Sequence, residues 1–165
     1  MSKKKSIADR GKFKKEIHSA LYKSDEIKEM LLGDVSGLSA SDIQKLFKEH
    51  VKSHLFIDDT IKEAGTYIFY DVRIPKVYSQ TKQMMVYMYL ICHRSLLENY
   101  SKEGYYGDRI DILAQMVEDV LVANKETSNK FGIGELSLDS LDIYNASRFY
   151  GCILTLSVPT FRYAS

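Results

Sequence analysis

The chain has 165 residues, of which 45% are hydrophobic and 27% charged, and its formal net charge is +1. That length can bury a core as one domain, and the composition is ordinary for a soluble globular protein. The near-neutral balance excludes an overall electrostatic attraction to nucleic acid or to an acidic membrane.

The first fifteen residues, MSKKKSIADRGKFKK, are locally basic and read as a solvated arm. Lys3, Lys4 and Lys5 are not followed by an apolar run, so no secretion signal is expected. From Ile7 to Leu32 the spacing predicts helix, broken once. Phe13, Ile17 and Leu21 make one stripe and Ile27, Met30 and Leu31 a second, with Ser24 placed to cap a restart and Gly33 a natural stop. DVSGLSAS is a turn-rich connection. Ser41 with Gln44 fits a capping box for a second helix whose stripe is Ile43, Leu46, Phe47 and Val51, expected to run on towards Phe56.

After Gly65 the pattern changes to strand. TYIFYDVRI, Thr66 to Ile74, is rich in β-branched and aromatic residues and is expected to end at Pro75. QMMVYMYLICH, ending at His93, predicts a second strand, antiparallel to the first, with apolar residues on both faces. Its longest apolar run, MMVYMYLIC, has nine residues, about half of what a membrane-spanning helix needs. Next, Asp108 is a good N-cap, and Ile110, Leu113, Val117, Val120 and Leu121 form one apolar stripe of a helix. Residues 124–148 read as a long excursion, or a small hairpin, with short apolar alternations at Leu136, Leu138, Leu141 and Ile143. Its length marks it as partner-facing. A last strand, Gly151 to Val158, is expected to end at Pro159. Helices and strands segregate without βαβ alternation, which predicts an α+β fold: a mainly antiparallel sheet flanked by helices, preceded by an N-terminal helical region over residues 1–60.

No constellation in the sequence demands chemistry, and neither a cofactor nor a metal site is expected. His50 and His54 are four apart but lack an HExxH glutamate and a third ligand, so they read as a helical surface pair. His18 and His93 stand alone. Cys92 and Cys152 lie in apolar strands, away from CxxC or Cys/His spacing, and read as reduced core residues. FGIGE lacks both the Walker lysine and the GxGxxG continuation, and no GxSxG elbow occurs. A magnesium-dependent nuclease would need Asp71 to converge with Glu98 or Lys76, a spacing nothing in the sequence imposes. Twelve tyrosines and seven phenylalanines, without tryptophan, are the remaining oddity. Many of the tyrosines fall in or beside strands, where a ring with a polar end suits an interface and serves equally well in a tyrosine-rich core.

The segments IFYDVRIP, MMVYMYLICH, YYGDRIDILAQMVEDVL and FYGCILTLSV, in that order, resemble the tail terminator and neck proteins of long-tailed bacteriophages and phage-tail-like particles. The likeness spans residues 61–161 and includes the short string Gly107-Asp108-Arg109-Ile110-Asp111 at the start of a helix. It implies a non-enzymatic virion protein that sits as a ring, usually a hexamer, on the finished tail tube. The implied partners are further copies of itself, the tail tube protein and a head-connector or sheath protein. Membrane is not among them, and nucleic acid enters at most through the basic N-terminus or the ring lumen. The implied location is the virion neck, with assembly in the host cytoplasm. Tyr67, Tyr87, Tyr89, Arg109, Phe131 and Ile133 are the residues expected at the interface. The competing expectation is a protein-binding module, such as a phage-encoded inhibitor of a host protein.

Overall fold

Three helices come first. α1 (Ala8–Lys23) buries Phe13, Ile17 and Leu21, α2 (Asp25–Leu32) buries Ile27, Met30 and Leu31, and α3 (Ala40–His50) buries Phe47. They belong to a computed structural model that describes residues 7–55, 64–78, 81–131 and 135–161. The break between α1 and α2 falls at Ser24, whose extended backbone exposes its hydroxyl to the Ile27 amide. Gly33, at φ 72°, ends α2 in a conformation that glycine adopts at no steric cost. α3 departs from expectation twice. Its cap is Ser39, which accepts from the Asp42 amide, so the Ser41–Gln44 box does not form. It also stops at His50, because Val51 turns extended and pairs in parallel with Ile68 to start β1 (Val51–Lys52). Phe56 lies outside the described residues.

β2 (Thr66–Val77) and β3 (Thr81–His93) form the expected antiparallel pair. Pro75 does not end β2. It sits where the register shifts between Arg73 and Lys76, on a strand with no described neighbour on its other side at that point. A missing N–H costs little there. α4 (Arg109–Glu118) begins with a reciprocal cap: Asp108 accepts from the amides of Ile110 and Asp111, and the Asp111 carboxylate accepts from the Asp108 amide. The helix continues through a π-helical turn, Asp119–Ala123, into the single turn α5 (Lys125–Ser128).

The expected excursion is a structured part of the sheet. β4 (Ser137–Asn145) pairs antiparallel with β5 (Phe149–Phe161), and Leu136 and Ser128 are buried. β5 also runs past Pro159, beyond the last β4 pair, Ser137 with Ser157, where among the described residues only β3 flanks it. Strand order is β1-β2-β3-β5-β4, antiparallel except for the short β1–β2 pair, so the fold is α+β.

Strand alternation divides the side chains between two faces. Ile68, Tyr70 and Val72 of β2, Met84 to Cys92 on alternate positions of β3, and Cys152 to Val158 on alternate positions of β5 face the helices. There they pack with Phe13, Ile17 and Leu21 of α1 and with Ile110, Leu113 and Val117 of α4. Two polar clamps hold α1 to the sheet. Asp9 and Lys82 form a buried ion pair, and Asp71 accepts from Arg10 at 2.5 Å and contacts Lys14 at 2.9 Å.

Candidate interaction surface

The face away from the main core is aromatic. Tyr67 and Phe69 of β2 stack at 5.8 Å, and Phe149 of β5 meets Tyr67 edge-on at 6.2 Å. His93 approaches Phe149 edge-on, and Tyr89 meets Tyr144 in the same manner at 5.7 Å. His50, at the end of α3, lies parallel to the Tyr67 ring at 4.9 Å, with its Nδ1 2.8 Å from the Thr66 carbonyl. Tyr67, Phe69, Ile91 and Phe149 are consequently buried on this second face. Toward the other end of the strands Met85, Tyr87 and Tyr89 remain half-buried, and the Arg73 guanidinium lies 5.4 Å from the Tyr87 ring centre. The apolar content that the sequence placed on both faces of β3 is thus real. One face meets helices, and the other carries its own aromatic cluster.

Of the residues expected at an interface, Tyr67, Tyr87 and Tyr89 share this face. Arg109 does not. It stands at the start of α4, donates from Nε to the Leu96 carbonyl at 3.0 Å and from Nη1 to Met30 O and Thr66 Oγ1 at 3.4 Å, and lies over Tyr100. Arg109 therefore joins α2, α4 and β2 as a strut. Phe131 closes a 3-10 turn, Asn129–Phe131. Ile133 lies outside the described residues.

The expected excursion contributes a second surface, on an edge strand that the sequence reading did not place in the sheet. Leu141 and Ile143 on β4 are 53% and 70% exposed. A register shift between Leu138 and Ser140 changes the phase of β4, so Leu138, Leu141 and Ile143 all pair on the helix-side face although their spacing is not strictly two. The alternation was visible, but its phase depends on that bulge. β4 is an edge of the sheet and carries exposed Asp139 and Asp142 on either side of Ser140 and Leu141. At the opposite edge, β2 past its short contact with β1 exposes Arg73, Lys76 and Val77. One sheet thus ends in an acidic edge and in a basic edge.

The ionisable groups explain themselves locally. Burial pushes the thiols of Cys92 and Cys152 up to about 11 and about 12. Burial would also raise the pKa of Asp71. The hydrogen bonds from Lys14 and from the Val72 amide, with the charges of Lys14 and Arg10, outweigh it and hold the carboxyl below its ordinary value. Asp71 is therefore clamped by two cations of α1, Arg10 and Lys14. Among the described residues, no group of three or more His, Cys, Asp or Glu converges as a metal site. Among them, too, no helix is long and apolar enough to cross a membrane.

No curated protein matches the chain. A family model described as YomW matches residues 15–158, from within α1 to near the end of β5, and so takes in every strand and the surfaces just described.

Proposed function

The chain belongs to the YomW family, a Bacillus phage-region family, and from that premise we propose that it is a structural protein of phage-tail assembly. In this reading it forms a ring that caps a completed tail tube and provides the joint to the head connector. One observation carries the proposal: the two edges of the sheet, open among the described residues, have opposite charge. The β4 edge presents Asp139 and Asp142 beside exposed Leu141 and Ile143, and the β2 edge presents Arg73 and Lys76 beside exposed Val77. Unpaired edges of this kind are templates for strand pairing. Because the two edges differ, the contact they favour is head-to-tail, and such a contact gives a ring when its rotation closes. The half-buried aromatic face of Met85, Tyr87 and Tyr89 supplies a further surface, suited to the tube or connector.

The test is the mass of the full chain in solution, alone and with a tail tube protein. A closed multiple of the monomer is expected. Asp139→Lys with Asp142→Lys should dissociate it, and adding Arg73→Glu with Lys76→Glu to the same chain should restore it. A protein that stays monomeric alone and with tail tubes would overturn the reading.

A further inference from the structure

A cleft of about 420 Å³ lies between α1, α3 and β2, on a part of the molecule that neither the sheet edges nor the aromatic face uses. Three lysines line it: Lys14 and Lys15 from α1 and Lys48 from α3. No carboxylate stands among its described lining residues. Lys14 is already engaged, 2.6 Å from the Ser53 carbonyl and 2.9 Å from Asp71. Lys15 and Lys48 have no acidic partner among the described residues. Another cavity, between α2 and the start of α4, is lined by acids and bases together, with Asp25, Glu29 and Asp34 beside Lys28 and Arg109. The contrast separates a cleft of one sign from a balanced one. A cleft of one sign with protein walls concentrates the opposite ion.

His18 lines the same cleft. It is half-buried, with its ring edge-on to Phe47 at 5.4 Å. Burial and the charge of Lys48 hold its pKa below the ordinary histidine value. An anion between Lys15 and Lys48 would reverse that balance, because it would favour the protonated imidazole and turn both ring nitrogens into donors. The far wall holds the phenol of Tyr70, which donates to the Lys14 carbonyl, and the ring of Tyr22. Burial raises the pKa of Tyr70, so its hydroxyl stays neutral and can accept a further hydrogen bond.

We infer that this cleft binds a small phosphate monoester, with the phosphate held by Lys15, Lys48 and His18 and the organic part against Tyr22 and Tyr70. The cavity is larger than a bare phosphate requires and falls within the size range of small-molecule sites, which span about 300–1,000 Å³. Two lysines at the mouth and a neutral hydroxyl behind favour a compact dianion over an extended chain of charges.

The full chain, labelled at its histidines, is titrated with inorganic phosphate and then with adenosine monophosphate while the ring resonances are followed by NMR. Both should shift the His18 signals saturably and raise its pKa, the monophosphate at lower concentration, with His93 unmoved. Lys15→Gln with Lys48→Gln should weaken binding about tenfold or more and leave the melting temperature unchanged, since both side chains are exposed. Equal movement of all four histidines, an unchanged affinity in the double variant, or saturable binding only to an oligonucleotide would overturn the assignment.

Discussion

Tyr89 and Tyr144 meet edge to face at 5.7 Å although a whole strand, β5, lies between their own strands. They meet across β5 beside Gly151, the register partner of Tyr144 and a neighbour of Ile153, which pairs with Tyr89. A Cβ at position 151 would come 1.9 Å from the Leu90 carbonyl oxygen and 2.8 Å from the Ile91 Cα. Both are backbone atoms, so no change of rotamer can relieve the clash. Gly151→Ala should therefore destabilise the fold by about 2–3 kcal/mol, as overpacking does. A urea midpoint equal to that of the unchanged chain would refute this.

Neighbouring positions of β3 should behave oppositely. Tyr87 is half-buried on the aromatic face, and Met88 is fully buried against the helices. Tyr87→Glu should leave a folded, soluble chain that fails to assemble. Met88→Glu should fail to fold, because burying an unpaired carboxyl there, even protonated, costs several kcal/mol (about 2–7) and leaves little of a small domain's stability. Circular dichroism and solution mass separate the two outcomes, and a Tyr87→Glu chain that assembles normally would dissociate this face from function.

The clamp of α1 on β2 should weaken in acid. The folded-state pKa of Asp71 is depressed, so its contribution is fully present above the unfolded value of about 3.9 and is lost as pH falls through the folded one. Asp71→Asn should lower the melting temperature at pH 7, and the gap to the unchanged chain should close below about pH 4. A gap independent of pH would mean that the Arg10 and Lys14 contacts contribute nothing to stability.

Both thiols should be inert in the native protein. Cys92 and Cys152 are buried, and their pKa values are pushed up to about 11 and about 12, so almost no thiolate exists near pH 8. Labelling by a thiol reagent should proceed only on unfolding, at a rate set by denaturant. Rapid stoichiometric labelling at pH 8 would contradict their burial.

The cap of α4 contributes a separable amount. Asp108 accepts from two backbone amides and Asp111 returns a bond to the Asp108 amide. Asp108→Ala should cost about 1 kcal/mol, measured by urea titration. Loss of assembly with no change in stability would instead assign Asp108 to a direct contact.

Local chemistry determined much of this protein from sequence alone. The break at Ser24, the stop at Gly33, the Asp108 cap, the stripe of α4 and the antiparallel β2–β3 pair follow from hydrogen-bonding groups and periodicities within a few residues of one another. Pairing between distant segments decided the rest. Whether Pro75 or Pro159 ends a strand depends on which neighbour flanks it there, and that is set by sheet order. α3 stops at His50 because Val51 finds Ile68, a partner seventeen positions away. The bulge at Asp139 sets which way Leu141 and Ile143 point, and only the register with β5 fixes that bulge. The cationic cleft belongs to the same class: Lys15 and Lys48 lie thirty-three positions apart and come to line one cleft when α1 and α3 pack on the sheet. Periodicity reports what a residue's own segment does, and charge, register and cavities arise only where segments meet.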